Sequence, residues 1–321
     1  MIDVRAEVLE AEGRIREHIR RTPVEKSIWL GDRAGCDVYL KLENLQATCS
    51  FKLRGAANRL LSLSEEERSK GVVTASSGNH GSAVAYLLRR FGWPGVIYLP
   101  ETASKAKIGA LEQYGAELKF FGEDGIETEV FARQVAEDSG RVFVSPYNDE
   151  KIIGGQGTIG LELEGQLERI DTVLIPVGGG GLAAGVAGYL KAADSSIEII
   201  GCQPVNSKVM YESLEAGKIL DLASQPTVAD GTAGGIEVDS LTFPICQEVI
   251  DDFILVEEDE IVHAIAEILT KHHLLIEGAA ALSVAALLKS GQRFEGKTVV
   301  LILSGARLSL DALSQVLAME R

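Results

Sequence analysis

Three short apolar runs in this chain end in the same way, in a loop of very small residues followed by helix formers. Val72-Val73-Thr74-Ala75 leads into Ser76-Ser77-Gly78-Asn79-His80-Gly81, and the run at 173–177 leads into Gly178-Gly179-Gly180-Gly181-Leu182. The third, Val299-Val300-Leu301-Ile302-Leu303, leads into Ser304-Gly305-Ala306-Arg307. Open α/β sheets bind ligands just beyond the carboxyl ends of their strands. One such loop is weak evidence; three together point to a single polar ligand on which the loops converge.

The rest of the chain suits that architecture. Val4, Val8, Ile15 and Ile19 are spaced for one face of a helix that Thr22-Pro23 ends. Val38, Leu40 and Leu42 alternate as in a strand. Further strand-like runs lie at 71–76, 95–100, 117–121, 141–145, 172–177, 197–201, 253–256 and 297–304. Between most of them lie segments at helical spacing, such as 82–90 and 258–272. Strands apolar on both faces, alternating with helices, imply a mostly parallel sheet covered by helices. So many strands in 321 residues imply two open, mostly parallel α/β lobes, with a boundary that composition does not mark.

Composition removes other classes. The formal charge of −16 and the lack of a basic stripe argue against a nucleic-acid partner. No apolar run is long enough to cross a bilayer, and the charged start has no apolar signal core. Cys36, Cys49, Cys202 and Cys246 are scattered and read as reduced thiols of a cytoplasmic protein. There is no GxxxxGK[ST] loop, no HExxH and no GxSxG elbow. His272 and His273 are adjacent, so they diverge rather than share a metal.

Each loop offers chemistry. Four consecutive glycines, 178 to 181, let backbone amides approach an anion, and the following helix adds its positive end. Gly178, Gly180 and Ala183 also fit GxGxxA, but the next strand ends Gly201-Cys202-Gln203-Pro204 with no carboxylate. A lone phosphate therefore fits better than a dinucleotide. After the Val38–Leu42 run comes Ser50-Phe51-Lys52-Leu53-Arg54-Gly55-Ala56, where Ser50 is expected to cap a helix with Lys52 in its first turn. A lysine at that end has its ammonium form disfavoured, which suits an amine nucleophile or base. Hydroxyls and free amides at 76–81 make a nest for a carboxylate; the plain alternative is an ordinary helix cap at Ser77 or Asn79.

With their order and spacing, and with Glu43-Asn44-Leu45-Gln46 upstream, these stretches resemble the serine/threonine dehydratase family of pyridoxal-phosphate enzymes. That is the fold-type II, tryptophan-synthase β-like group, which includes serine racemase. The resemblance covers essentially the whole chain. It implies a large cofactor-binding domain at 1–66 and 149–321, a small domain at 67–148, and the cofactor in the cleft between them. It implies that Lys52 forms the Schiff base with pyridoxal 5′-phosphate and that Phe51 flanks the ring. Asn79 would meet the 3-hydroxyl, Gly178, Gly179, Gly180, Gly181 and Leu182 would cradle the phosphate, and Ser304 would face the pyridine nitrogen. Ser76, Ser77, Gly78, Asn79 and His80 would hold the substrate carboxylate, with Ser77 catalytic on the face opposite Lys52. The positions of the family's divalent-cation ligands are Gln203 and Val209, so no metal is expected. A homodimer acting on an amino acid follows from the same resemblance.

The implied activity is elimination of water and ammonia from a β-hydroxy amino acid such as L-threonine or L-serine. Alternatives are a bulkier or acidic substrate (phenylserine, 3-hydroxyaspartate), serine racemisation, and a non-catalytic binder. Four positions depart from the family pattern: Cys49 for a glycine, Ser82 for a frequent glutamine, and Ala306-Arg307 for Gly-Asn.

Overall fold

The β-branched runs become strands of two sheets, and those apolar on both faces lie in the middle of them. A computed structural model describes residues 2–319. Its strands are β1 (Val24–Lys26), β2 (Asp37–Lys41), β3 (Val72–Ala75), β4 (Gly95–Leu99), β5 (Glu117–Phe120), β6 (Val142–Phe143), β7 (Thr172–Pro176), β8 (Glu198–Pro204), β9 (Asp252–Val256) and β10 (Thr298–Ile302). One sheet has the order β1-β2-β10-β7-β8-β9 and the other β5-β4-β3-β6. Only the β1–β2 pair is antiparallel; the other pairs are parallel. The smaller sheet is built from one continuous stretch, 72–143, inserted between β2 and β7 of the larger.

Alternation puts the side chains of one strand into different cores. Val299 and Leu301 of β10 join one apolar cluster, while Val300 and Ile302 join the cluster on the opposite face. β3 and β7 are buried along their whole length, as expected of central strands in a parallel sheet.

Two expectations shift. The first helix is Val4–Ile15, capped by the Asp3 carboxylate on the Ala6 amide, and it stops before Ile19. Ile19 packs instead against the cluster containing Leu53 and Leu60. The run at 141–145 shortens to two strand residues; Val144 still donates to Val73 O, but Pro146 has no N–H with which to continue.

One helix, Glu150–Gln166, sets the relative position of two others. A Cβ on its Gly155 would lie 2.6 Å from Arg54 O, and one on Gly157 would lie 2.7 Å from Gly185 O. Helices Lys52–Leu61 and Gly181–Ala193 thus approach the same helix at backbone contact. That contact fixes the loop at 178–181 relative to Lys52.

A candidate active site at the strand ends

The larger sheet carries Lys52 to its place through a ladder that continues past β10. Leu303 N donates to Lys41 O, Phe51 N to Ser304 O and Ala306 N to Cys49 O, with Ser50 and Gly305 bridged antiparallel. Lys52 begins its helix directly after this clasp, next to the level of Ser304. Phe51, not Ser50, occupies the N-cap, and it makes no side-chain cap bond. Ser50 lies one residue before the N-cap, its backbone bridged to Gly305 and its hydroxyl buried without a partner. Cys49, which opens the clasp, has φ 60, in the left-handed region.

The Lys52 Nζ donates to Pro146 O at 2.8 Å and lies 5.2 Å from the Phe51 ring centre. Burial brings its pKa down to about 8, opposed by the charges of Glu277 and Glu129. An amine so depressed is partly neutral near physiological pH.

From the smaller sheet, β3 leads into the turn at 76–80. Ser76 Oγ accepts from Gly78 N, and the Ser76 carbonyl fills the space of a Cβ at Gly81. Helix Asn79–Phe91 has Gly78 at its N-cap and no side-chain cap. The plain cap reading therefore fails, and the hydroxyls of Ser76 and Ser77 do not cap the helix. His80 turns inward: its Nε2 lies 3.0 Å from Val144 O, and burial with the nearby Lys52 charge lowers its pKa to about 3. A neutral imidazole with Nε2–H donating to a carbonyl supports the turn. Asn79 points the other way, its Nδ2 donating to both carboxylate oxygens of Glu277 at 2.8 and 3.0 Å.

The tetraglycine loop is closed in on three sides. A Cβ at Gly178 would lie 3.0 Å from Thr232 Cα, and at Gly179 2.7 Å from the Tyr147 ring. Gly180 has φ 86, and a Cβ there would meet Met210, Cys246 and Thr242. Thr242 Oγ1 donates to Gly179 O, and Ala184 N donates to Gly180 O. The amides of Gly181, Leu182 and Ala183 belong to the first turn of helix Gly181–Ala193, where no intrahelical acceptor is available. At the end of β8 Gln203 Oε1 accepts from Tyr211 N, so no carboxylate stands where a ribose would need one.

These groups meet through short chains of contact. Lys52 touches Pro146, whose neighbour Tyr147 packs on Gly179 and Gly181. Phe51 holds Ser304, Gly305 accepts from Glu277 N, and Glu277 holds Asn79. Glu277, Tyr147, Thr232 and Glu129 escape sequence reasoning. Glu277 carries one signal, an acid at the N-cap of the Ala-rich helix Gly278–Ser290. Among the described residues no three His, Cys, Asp or Glu side chains cluster as a metal site. His272 Nε2 lies 3.0 Å from Ser27 Oγ, and His273 ends its helix at φ 55.

Comparison with known proteins bears on the same stretch. The family described as pyridoxal-phosphate dependent enzyme matches residues 15–305. The catabolic L-threonine dehydratase TdcB of Staphylococcus aureus (strain N315) is 40% identical over 315 residues, covering 97% of this chain and 91% of that protein. The processed form of threonine deaminase isoform 2 from Solanum lycopersicum superposes with TM-score 0.93 at 35% identity, over 99% of this chain and 93% of the other. Maize serine racemase superposes with TM-score 0.92 at 34% identity, over 98% and 97%.

Proposed function

The chain belongs to the pyridoxal-phosphate dependent enzyme family, and we propose that it is the lyase its strand-end loops describe. It removes water and then ammonia from a β-hydroxy amino acid, L-threonine or L-serine, leaving a 2-oxo acid. The observation that carries this reading is Lys52: an amine with a depressed pKa, linked by short contacts to a glycine cradle, to Ser304 and to Asn79. The buried, unpartnered Asn79 Oδ1 and the first-turn amides behind Gly180 fit an aromatic phosphate with a ring hydroxyl. When bound, pyridoxal 5′-phosphate supplies an electron sink for charge developed at the substrate α-carbon.

The chain's own residues do the rest. Gly178, Gly179, Gly180, Gly181 and Leu182 hold the phosphate through backbone amides. Phe51 covers the ring, and Ser304 meets its nitrogen with a neutral hydroxyl. Lys52 holds the cofactor through its Nζ and, once released, takes the substrate α-proton. Ser76, Ser77, Gly78, Asn79 and His80 orient the substrate carboxylate at the start of helix Asn79–Phe91, His80 through its backbone. Ser77 stands opposite Lys52 and, by reprotonating the far face, allows racemisation as a side reaction. The likeness to maize serine racemase favours that second activity.

The chain also divides, on this reading, into 1–66 with 149–321 and 67–148, matching the separate strand sets of the two sheets. No helix is long and apolar enough to cross a membrane among the described residues. The four unpaired thiols suit a reducing cytoplasm, and we place the enzyme there as a homodimer.

A panel of β-hydroxy amino acids scored for both ammonia and 2-oxo acid tests the activity. Lys52→Ala should abolish turnover with the fold intact, and borohydride reduction should place the pyridoxyl label on Lys52. A label on another lysine, or no oxo-acid release from any member of the panel, would overturn the reading.

A further inference from the structure

Of the three glutamates tied into the cleft, one has an oxygen to spare. Glu277 accepts from Asn79 on both oxygens and from the Arg307 N–H on Oε2. Glu237 accepts from Arg133 on Oε1 and from Asn148 Nδ2 on Oε2. Glu129 accepts two bonds from Arg133, at 3.2 and 2.7 Å, and both fall on Oε1. Its Oε2 has no hydrogen-bond partner among the described residues, and with the side chain 25% exposed it is not sealed in. Arg133 is shared by Glu129 and Glu237, so these three side chains together carry one negative charge that they do not balance.

The fold places that charge beside Lys52. Helix Gly125–Ser139 joins β5 to β6, two strands of one parallel sheet, so it runs against them and begins at their carboxyl ends. Arg133 lies over the ring of Phe143, the last residue of β6, at 4.2 Å from its centre. Glu129, one turn earlier, lies about 6 Å further along the strand direction, the length of about two strand residues. That is the level of Ser145 and Pro146, and it is Pro146 O that takes the Lys52 Nζ. The charges of Glu129 and Lys52 accordingly act on each other. Burial still raises the pKa of Glu129 above its ordinary value, despite the bond from Arg133.

Resting on the reading that a β-hydroxy amino acid reacts beside Lys52, we propose that Glu129 sets substrate specificity: its free oxygen accepts a hydrogen bond from a donor, best an ammonium, at the far end of the substrate's β-substituent, and it repels a carboxylate there. A carboxylate only accepts, so a second one brought to Oε2 finds no donor and meets a like charge. An ammonium finds an acceptor that costs no existing bond, since Arg133 stays on Oε1. The plain alternative, a helix pair of Glu129 with Arg133 four residues on, accounts for Oε1 and leaves Oε2 idle. The class of substrate that the site fits best is therefore a β-hydroxy amino acid with an amine on its γ-carbon. L-threonine, with a methyl group there, is accepted without that contact.

Three substrates of nearly one shape test this on the holoenzyme: 3-hydroxyaspartate, 3-hydroxyasparagine and 3-hydroxy-2,4-diaminobutyrate, each scored for 2-oxo acid and ammonia. In the wild type kcat/KM should be highest for the amine, lower for the amide and lowest for the dicarboxylate. In Glu129→Gln the ratio of amine to dicarboxylate should fall on the order of tenfold, the factor of one hydrogen bond to a charged group, and chiefly through KM. Calorimetric binding of 2,4-diaminobutyrate, which has no β-hydroxyl to lose, should weaken by a similar factor. An unchanged ratio in Glu129→Gln, with L-threonine still turned over, would overturn the role of Glu129 and leave the enzyme reading standing. The wild type alone can also overturn it, whether or not the variant folds, by favouring 3-hydroxyaspartate over its amide or by using L-threonine and none of the three. No oxo acid from L-serine, L-threonine or any of the three would overturn the enzyme reading, and this inference with it.

Discussion

At the residue scale, Cys49 shows what a family departure means physically. The family pattern that the sequence resembles has glycine at this position, and here a side chain sits at φ 60 in the turn that delivers Lys52. The left-handed region costs an L-residue about 1–2 kcal/mol, while glycine adds about 0.5–1 kcal/mol of unfolded-state entropy. Cys49→Gly should therefore stabilise the protein by about 0.5–1 kcal/mol, raising the melting temperature by about 1–3 °C in calorimetry. A lower melting temperature would mean that the thiol makes a contact worth more than the strain. Lys52 itself yields a pH prediction. Burial brings its pKa to about 8, and only the neutral amine attacks an aldehyde. Cofactor uptake by the apoprotein should quicken about tenfold per pH unit below about 8 and level off above it. Stopped-flow absorbance would show this, and a flat profile would place the reactive amine elsewhere.

At the scale of elements, the helix bearing Lys52 is anchored by charge as well as by glycine contact. Arg54, two residues on, is fully buried and bonds Glu43 at 2.7 and 2.8 Å and Glu162 at 2.9 Å, while buried Lys41 also bonds Glu162. Burial alone would raise the pKa of Glu162, but Arg54 and Lys41 outweigh it and hold the carboxyl at about 2. Its folded pKa lies below the ordinary 4.5, so its contribution is complete above about 4.5 and is lost as pH falls toward about 2. Glu162→Gln should flatten the stability profile across that window in urea titrations. Arg54→Met leaves buried Glu43 without its ion-pair partner, while Glu162 keeps Lys41 and Arg16, and should cost about 3–5 kcal/mol, read as a lower denaturation midpoint. None of this network was legible in the sequence. Lys, Arg and Glu are almost always surface residues, and only packing from three distant segments shows that these are not. The strands were legible, because β-branched runs bounded by glycine have few other uses, and so was the glycine loop between β7 and the helix that follows it, because four glycines after a strand are costly without a close approach to make.

At the scale of the molecule, the elements of the two sheets share the apolar cluster around Leu53, Leu60, Val72 and Leu87, and the polar ties between them were invisible in sequence because each joins residues about ninety or more apart. Asn79 reaches Glu277, Lys107 reaches Asp230, and Arg133 and Asn148 both reach Glu237. Glu237 and Asp230 lie in the segment between helices Val209–Glu215 and Thr242–Val249, whose Thr232 packs on Gly178 and whose Glu237 N–H donates to the Tyr147 hydroxyl. This strap covers the glycine loop from outside while holding the smaller sheet at its edge. Arg133 and Glu237 are partly solvated, so their ion pair adds little to global stability, of order 1 kcal/mol or less. Their effect falls instead on local opening, where one or two hydrogen bonds change the closed population several-fold. Glu237→Ala keeps the backbone bond to Tyr147 but removes both side-chain ties. It should leave the melting temperature within about 2 °C of wild type while raising KM on the order of fivefold and changing kcat less. It should also speed proteolytic cleavage within 216–241. Unchanged KM and unchanged cleavage would mean that Thr232 and Tyr147 alone hold the strap, and that the ion pairs merely decorate the mouth of the cleft.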